Sequence, residues 1–213
     1  MIAPMVGRII ETDRDVAEGA AHLARICPRM ARAYAQTGAL PLRRSEDGFT
    51  RLLSAIVSQQ VSVASANAIW GRVEAAGFAD PQAIRRVSDD DLRAVGLSRQ
   101  KARYARALAE AEIDYAALRH APDDEVIATL TEVPGIGVWT AEIYAMFSLG
   151  RADVFASGDL ALQESARLLY DLPERPKPRA LAEMARAWSP WRSVAARLLW
   201  AYYRVAKDRE GIR

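Results

Sequence analysis

An all-α fold is predicted by three features of the sequence. Apolar residues recur at helical spacing through most of the chain, caps and breakers such as Pro28, Gly77, Ser88 and Gly96 punctuate those stretches, and no alternating β-branched run compels a strand. At 213 residues the chain can bury one substantial core or two small lobes.

The first helical stretch, residues 13–37, carries Leu23, Ile26 and Met30 as a candidate buried stripe. Pro28 interrupts it, so it reads as one broken helix or two short ones. Residues 38–48, with Pro41 and two arginines, form a connector. A helix pair follows, FTRLLSAIVSQQ (49–60) and VSVASANAIWGRVEAAG (61–77), joined at Ser58-Gln59-Gln60 and closed by Gly77. Short helices fill 80–112, where Ser88 can cap DDDLRAVG, Gly96 ends that turn and GLSRQKARYARALAEA begins another. Arg99, Lys101, Arg103 and Arg106 crowd the start of this last helix, where cations oppose the helix dipole. Phosphate contact would explain the placement, and so would a solvated face.

Helical sequence over 123–132 and 138–149 flanks Val133-Pro134-Gly135-Ile136-Gly137, which is too short and too glycine-rich to continue a helix. The arrangement is helix, tight hairpin, helix. Gly135 and Gly137 can adopt positive φ and leave a ligand room, and the first turn of the second helix has N–H groups without intrahelical partners. Such an end suits a phosphate. Helices are expected again over 161–172 and 180–188, separated by the extended PERPKPR, and over 191–207 with the stripe Trp191, Val194, Leu198 and Tyr202. No internal repeat or low-complexity segment is evident.

Composition excludes several classes. A net charge of +2 decides nothing about nucleic acid, because a local basic face suffices. No run approaches the roughly eighteen apolar residues of a membrane span, and MIAPMVGRIIETDRD lacks the apolar centre and cleavage site of a signal peptide, so an intracellular protein is expected, cytoplasmic and nucleoid-associated if bacterial. Cys27 is the only cysteine, which excludes an intrachain disulfide and a four-cysteine iron–sulfur cluster. His22 and His120 do not suggest a metal site, and no cofactor is expected.

VPGIGVWTA, followed by LGRADVF and then Asp159, resembles the helix-hairpin-helix (HhH-GPD) DNA glycosylases, in particular the alkylated-base, 3-methyladenine branch. The resemblance covers residues 45–205 well and the N-terminus more loosely. It implies a two-lobed helical fold with the active-site cleft between lobes: residues 1–45 with 160–213 as one lobe, and 46–159, containing the hairpin at 123–149, as the other. It leaves no room for the separate N-terminal sheet domain of some relatives. It implies that Pro134, Gly135, Ile136, Gly137 and Thr140 bind a DNA phosphate, and that Gln59 and Gln60 approach the minor groove with Gln60 as the wedge that fills the gap left by a flipped base. Arg99 and Lys101 join these as DNA-binding candidates, and the expected partner is double-stranded DNA containing alkylated bases, bound by a monomer. SPWRSVAARLLW resembles the family's C-terminal helix.

The resemblance makes Asp159 the catalytic carboxylate. Cleaving an N-glycosidic bond places positive charge on the sugar, and a fixed carboxylate lowers that barrier as electrostatic stabiliser or as base for the attacking water. Asp153 is structural in the family's pattern, and Gly158 stands where some relatives carry a second acid. Trp139 occupies the position that holds lysine in glycosylases with lyase activity, and an indole forms no Schiff base. The expectation is therefore a monofunctional glycosylase, with Trp139, and Trp200 opposite it, as walls for a cationic base.

Each residue has a plainer reading. Asp159 can simply cap the following helix. Trp139 can pack with Ile143 and Met146, Trp200 can be core within LLWAYY, and Gln59 and Gln60 can satisfy helix ends. The rival functions are a glycosylase for deaminated, oxidised or mismatched bases, and a non-catalytic DNA-binding module.

Overall fold

The computed structural model describes residues 6–209, and of 208 and 209 the backbone alone. Among the described residues there is no strand, and an isolated bridge pairs Ile9 with Arg151. Residues 1–5 and 210–213, assigned from sequence to the terminal lobe, lie outside the described residues.

Two compact units emerge: a central unit, Ser45–Tyr144, and a terminal unit made of Val6–Arg44 with the chain from Ala145 onward. In chain order, α1 (Asp13–Ile26) and α2 (Pro28–Thr37) open the terminal unit. The central unit holds α3 (Phe49–Ser58), α4 (Val63–Ala75), α5 (Pro81–Arg86), α6 (Asp89–Ala94), α7 (Arg99–Glu110), α8 (Tyr115–Leu118) and α9 (Asp123–Thr131). The chain leaves that unit within α10 (Val138–Phe147). The terminal unit is completed by α11 (Leu160–Tyr170), α12 (Pro178–Ala185), a 3₁₀ turn at Arg186–Trp188 and α13 (Arg192–Arg209).

The second boundary therefore falls at Tyr144/Ala145 rather than at 159/160. Backbone bonding supplies the reason. In the segment after α10, Gly150 O accepts from Ile10 N–H at 2.7 Å, Ala152 N–H donates to Arg8 O at 3.0 Å, and Ser193 N–H donates to Ala152 O at 2.9 Å. Asp153 takes Arg192 Nε at 2.8 Å and Nη2 at 3.0 Å, and Ser189 Oγ at 2.8 Å. The segment is built into the terminal unit, and Asp159 goes with it.

Local chemistry explains the helix ends. Thr12 and Asp15 form a capping box on α1, and Ser88 and Asp91 form one on α6. Cys27 is extended and Pro28 opens α2, where its fixed φ fits and its missing N–H is not needed. Because the helix register stops at Cys27, the buried face of α1 is Val16, Gly19, Ala20 and Leu23, and Ile26 is left exposed. Gly19 is small for a reason: a Cβ there would lie 2.6 Å from the Trp191 ring and 2.7 Å from Val194 on α13. The predicted α13 stripe of Trp191, Val194, Leu198 and Tyr202 is buried throughout, and α13 packs against α1, α2 and α11. In the central unit α7 receives α3, α5 and α6, with Leu53, Ile56, Ile84, Leu92, Ala105 and Leu108 fully buried.

Candidate DNA-binding and catalytic sites

In the central unit, Gly135 holds φ at +95°, a backbone setting that favours glycine, and Gly137 needs no such setting. A Cβ on Gly135 would fall 2.3 Å from Cγ of Tyr104, so α7 and the hairpin touch through a bare backbone. Val133 and Ile136 are buried anchors, whereas Pro134, Gly137 and Val138 are exposed. Gln59 Nε2 donates to Gly135 O at 2.9 Å, fastening the end of α3 to the hairpin. Gln60 is exposed at the tip of the α3–α4 turn with φ +55°, next to Val61 and Val63, which are 38% and 77% exposed.

A second hairpin, not anticipated from sequence, joins α6 to α7. Residues 96–102, GLSRQKA, match 135–141, GIGVWTA, in conformation and, from the second residue on, in burial. Gly96 (φ +104°) corresponds to Gly135, buried Leu97 to Ile136, Lys101 to Thr140 (each 9% exposed) and buried Ala102 to Ala141. Both hairpins are preceded by helices that open on acids, Asp89-Asp90-Asp91 and Asp123-Asp124-Glu125. The legible signal was Gly, aliphatic, four residues, Ala after an acid-led helix. The two hairpins line one polar groove of about 350 Å³, with Ser98, Gln100 and Lys101 from one and Gly135 to Gly137 from the other.

The basic cluster of α7 divides. Arg106 is structural, donating to Asp89 at 2.7 Å and to the carbonyls of Ile84 and Val87. Lys101 is buried, its Nζ donates to Val57 O at 2.6 Å, and burial pushes its pKa down. Arg99 and Arg103 remain exposed.

Trp139, at the start of α10, is 48% exposed rather than packed in the core with Met146. A large indole left half in water is unusual at a purely structural position. It walls an apolar cavity of about 290 Å³ together with Leu52, Ala55, Thr140, Ile143 and Tyr144. The Tyr144 hydroxyl accepts from Gly48 N–H at 2.8 Å, and burial raises its pKa to about 12.

Burial also raises Glu142, on the same helix, from 4.5 to about 7. A carboxyl whose folded pKa exceeds its unfolded value stabilises the fold fully below the unfolded value, and the contribution is lost as pH rises through the folded one. The melting temperature of Glu142→Gln, equal to or below that of wild type near pH 4.5, should therefore gain on it steadily up to pH 7 and keep the gain at pH 8. Parallel melting curves across that range would overturn the assignment.

In the terminal unit, Asp159 is the N-cap of α11 and its Oδ1 accepts from Leu162 N–H at 2.9 Å. The same oxygen accepts from the Trp200 indole Nε1–H at 3.2 Å. The cap expected as the plainer reading of Asp159 is present, and the Trp200 indole is a second donor to the same oxygen. Gln163 Nε2 donates to Ser157 O at 2.9 Å and steadies the loop before the cap. A side chain at Gly158 would meet nothing within 4 Å, so the missing second acid is not a matter of space. Within the terminal unit Trp200 and Asp159 are brought together, and Trp139 is part of the central unit.

Comparison with known proteins adds the relatives. A family model described as "HhH-GPD superfamily base excision DNA repair protein" matches residues 53–192. The chain is 30% identical over 177 residues to DNA-3-methyladenine glycosylase 1 of Schizosaccharomyces pombe, covering 79% of this chain and 78% of that one. It is 28% identical to a putative DNA-3-methyladenine glycosylase of Bacillus subtilis, spanning 75% of this chain and 60% of the relative's length. Among solved structures, a DNA-3-methyladenine glycosidase of Bacillus halodurans superposes with a TM-score of 0.78 at 34% identity, covering 93% of this chain and 92% of that one. The S. pombe 3-methyladenine DNA glycosylase in complex with abasic DNA superposes with a TM-score of 0.74 at 30% identity, covering 86% and 95%.

Proposed function

The chain belongs to the HhH-GPD superfamily of base excision DNA repair proteins, and from that membership we propose that it is a monofunctional glycosylase that releases alkylated purines from duplex DNA. The observation that carries the reading is the Asp159 carboxylate, held at a helix N-cap by two N–H donors on one oxygen.

In the reaction the C1′–N bond breaks and its electron pair leaves with the base. A base alkylated on the ring carries positive charge and departs as a neutral molecule, so little acid assistance is needed. The sugar becomes oxocarbenium-like, and Asp159 stabilises that charge from a fixed position. Water adds to C1′ and gives up a proton, leaving an abasic site. No metal or redox group has a step to perform. Trp139 stands where a lysine would be needed for strand cleavage, so the backbone stays intact.

Binding is sequence-independent and salt-sensitive, through the backbone of Pro134 to Gly137 and through Arg99. Lys101 and Thr140, at matching positions of the two hairpins, support it from beneath. Gln60 enters the stack as the base leaves it, and the exposed face of Trp139 receives the cationic base. Acting on chromosomal DNA makes the protein intracellular, and nucleoid-associated in a bacterium. It works as a monomer.

The test is incubation with duplex DNA methylated at purines, with released bases identified by mass spectrometry and strand integrity followed on gels. Released 3-methyladenine or 7-methylguanine, with strand breaks only after alkali, is the expected result. Absence of any released methylated base would remove the substrate assignment.

A further inference from the structure

The indole of Trp200 has a donor edge as well as a face, and the two edges of its surroundings differ. Its Nε1–H points at Asp159 Oδ1 from 3.2 Å, while its ring packs against Phe147 with centroids 5.9 Å apart and planes tilted by 34°. Phe147 is itself held, because the Arg197 guanidinium lies 4.6 Å from its ring centroid. Arg197 is buried, donating through Nη2 to Leu42 O at 3.0 Å and through Nη1 to Ser193 O at 3.0 Å. One residue before Trp200, Leu199 O accepts from Ser165 Oγ at 2.7 Å, which registers α13 against α11, the helix that Asp159 caps.

We propose that Trp200 is a positioning residue, whose indole N–H aims the Asp159 carboxylate, rather than a wall of the base pocket. The proposal rests on the reading of Asp159 as the carboxylate that stabilises the sugar cation. A backbone cap alone restrains a carboxylate through one atom pair and leaves it free to swing about that bond. A second donor from another helix, converging on the same oxygen, fixes the direction in which the charge faces. Electrostatic stabilisation of a transition state depends on that orientation being set before the reaction, so it need not be reorganised during it.

The test replaces Trp200 with β-(3-benzothienyl)alanine, in which sulfur stands for the N–H and the bicyclic face is kept, alongside Trp200→Phe and Asp159→Asn. Single-turnover release from methylated duplex, affinity for abasic duplex and melting temperature are measured for each. Positioning predicts that the benzothienyl variant loses about 10- to 100-fold in rate, with affinity and melting temperature near wild type. A base wall predicts a wild-type rate for that variant and loss only in Trp200→Phe, and this result would overturn the proposal. A wild-type rate in Asp159→Asn would instead remove the underlying reading. Loss in Asp159→Asn with none in the benzothienyl variant would remove the positioning role alone.

Discussion

Asp159→Asn lowers the single-turnover rate of base release by about 100- to 1,000-fold while leaving affinity for DNA and the melting temperature near wild type. The substitution isolates charge. Asn is as good an N-cap as Asp, and its carbonyl oxygen can still accept from Leu162 N–H and Trp200 Nε1–H, so the geometry around α11 is conserved. What disappears is the negative charge opposite the developing sugar cation. Release measured under enzyme excess, with binding measured on undamaged and abasic duplex, separates the chemical step from association. A rate within a few-fold of wild type would take Asp159 out of the mechanism and leave it as a cap.

Gly135→Ala has the largest effect expected on the fold. Its Cβ would sit 2.3 Å from Cγ and 2.5 Å from Cδ2 of Tyr104, which is anchored by Gln100 Nε2 at 2.6 Å from its hydroxyl. The backbone at φ +95° is also unfavourable for any side chain. Backbone strain of about 1–3 kcal/mol and overpacking of about the same size lower the melting temperature by roughly 5–20 °C. Gly137→Ala is the informative partner. Nothing lies within 4 Å of a Cβ there, so the fold is undisturbed, yet the methyl stands at the open end of the hairpin. DNA affinity should fall by about tenfold in Gly137→Ala at unchanged melting temperature, through loss of the close backbone approach to a phosphate. Unchanged affinity in that variant would place the phosphate contact elsewhere.

The hairpin, its flanking helices and the α13 stripe were legible because each is written locally. Val133-Pro134-Gly135-Ile136-Gly137 specifies a turn by its own backbone preferences, and Trp191, Val194, Leu198 and Tyr202 specify a buried face by spacing alone. The same logic failed at Ile26, where the break at Cys27 ended the register on which the stripe was counted. The second hairpin escaped because conformation and burial repeat while few residues do: Gly96 and Ala102 match, and Leu97 replaces Ile136. In α7, charge spacing alone could not separate Arg106, neutralised by Asp89, from exposed Arg99.

By itself the sequence determined an all-helical chain, the hairpin with its phosphate-compatible glycine turn, and the resemblance that singled out Asp159. Only the tertiary structure decided that residues 145–159 are built into the terminal unit, that Trp139 stands half in solvent, and that Trp200 turns its N–H onto Asp159. The physical reason is one of range. Caps, turns and helical stripes are set by neighbours within a few residues, whereas a hydrogen bond across 41 positions exists only after α11 and α13 have packed.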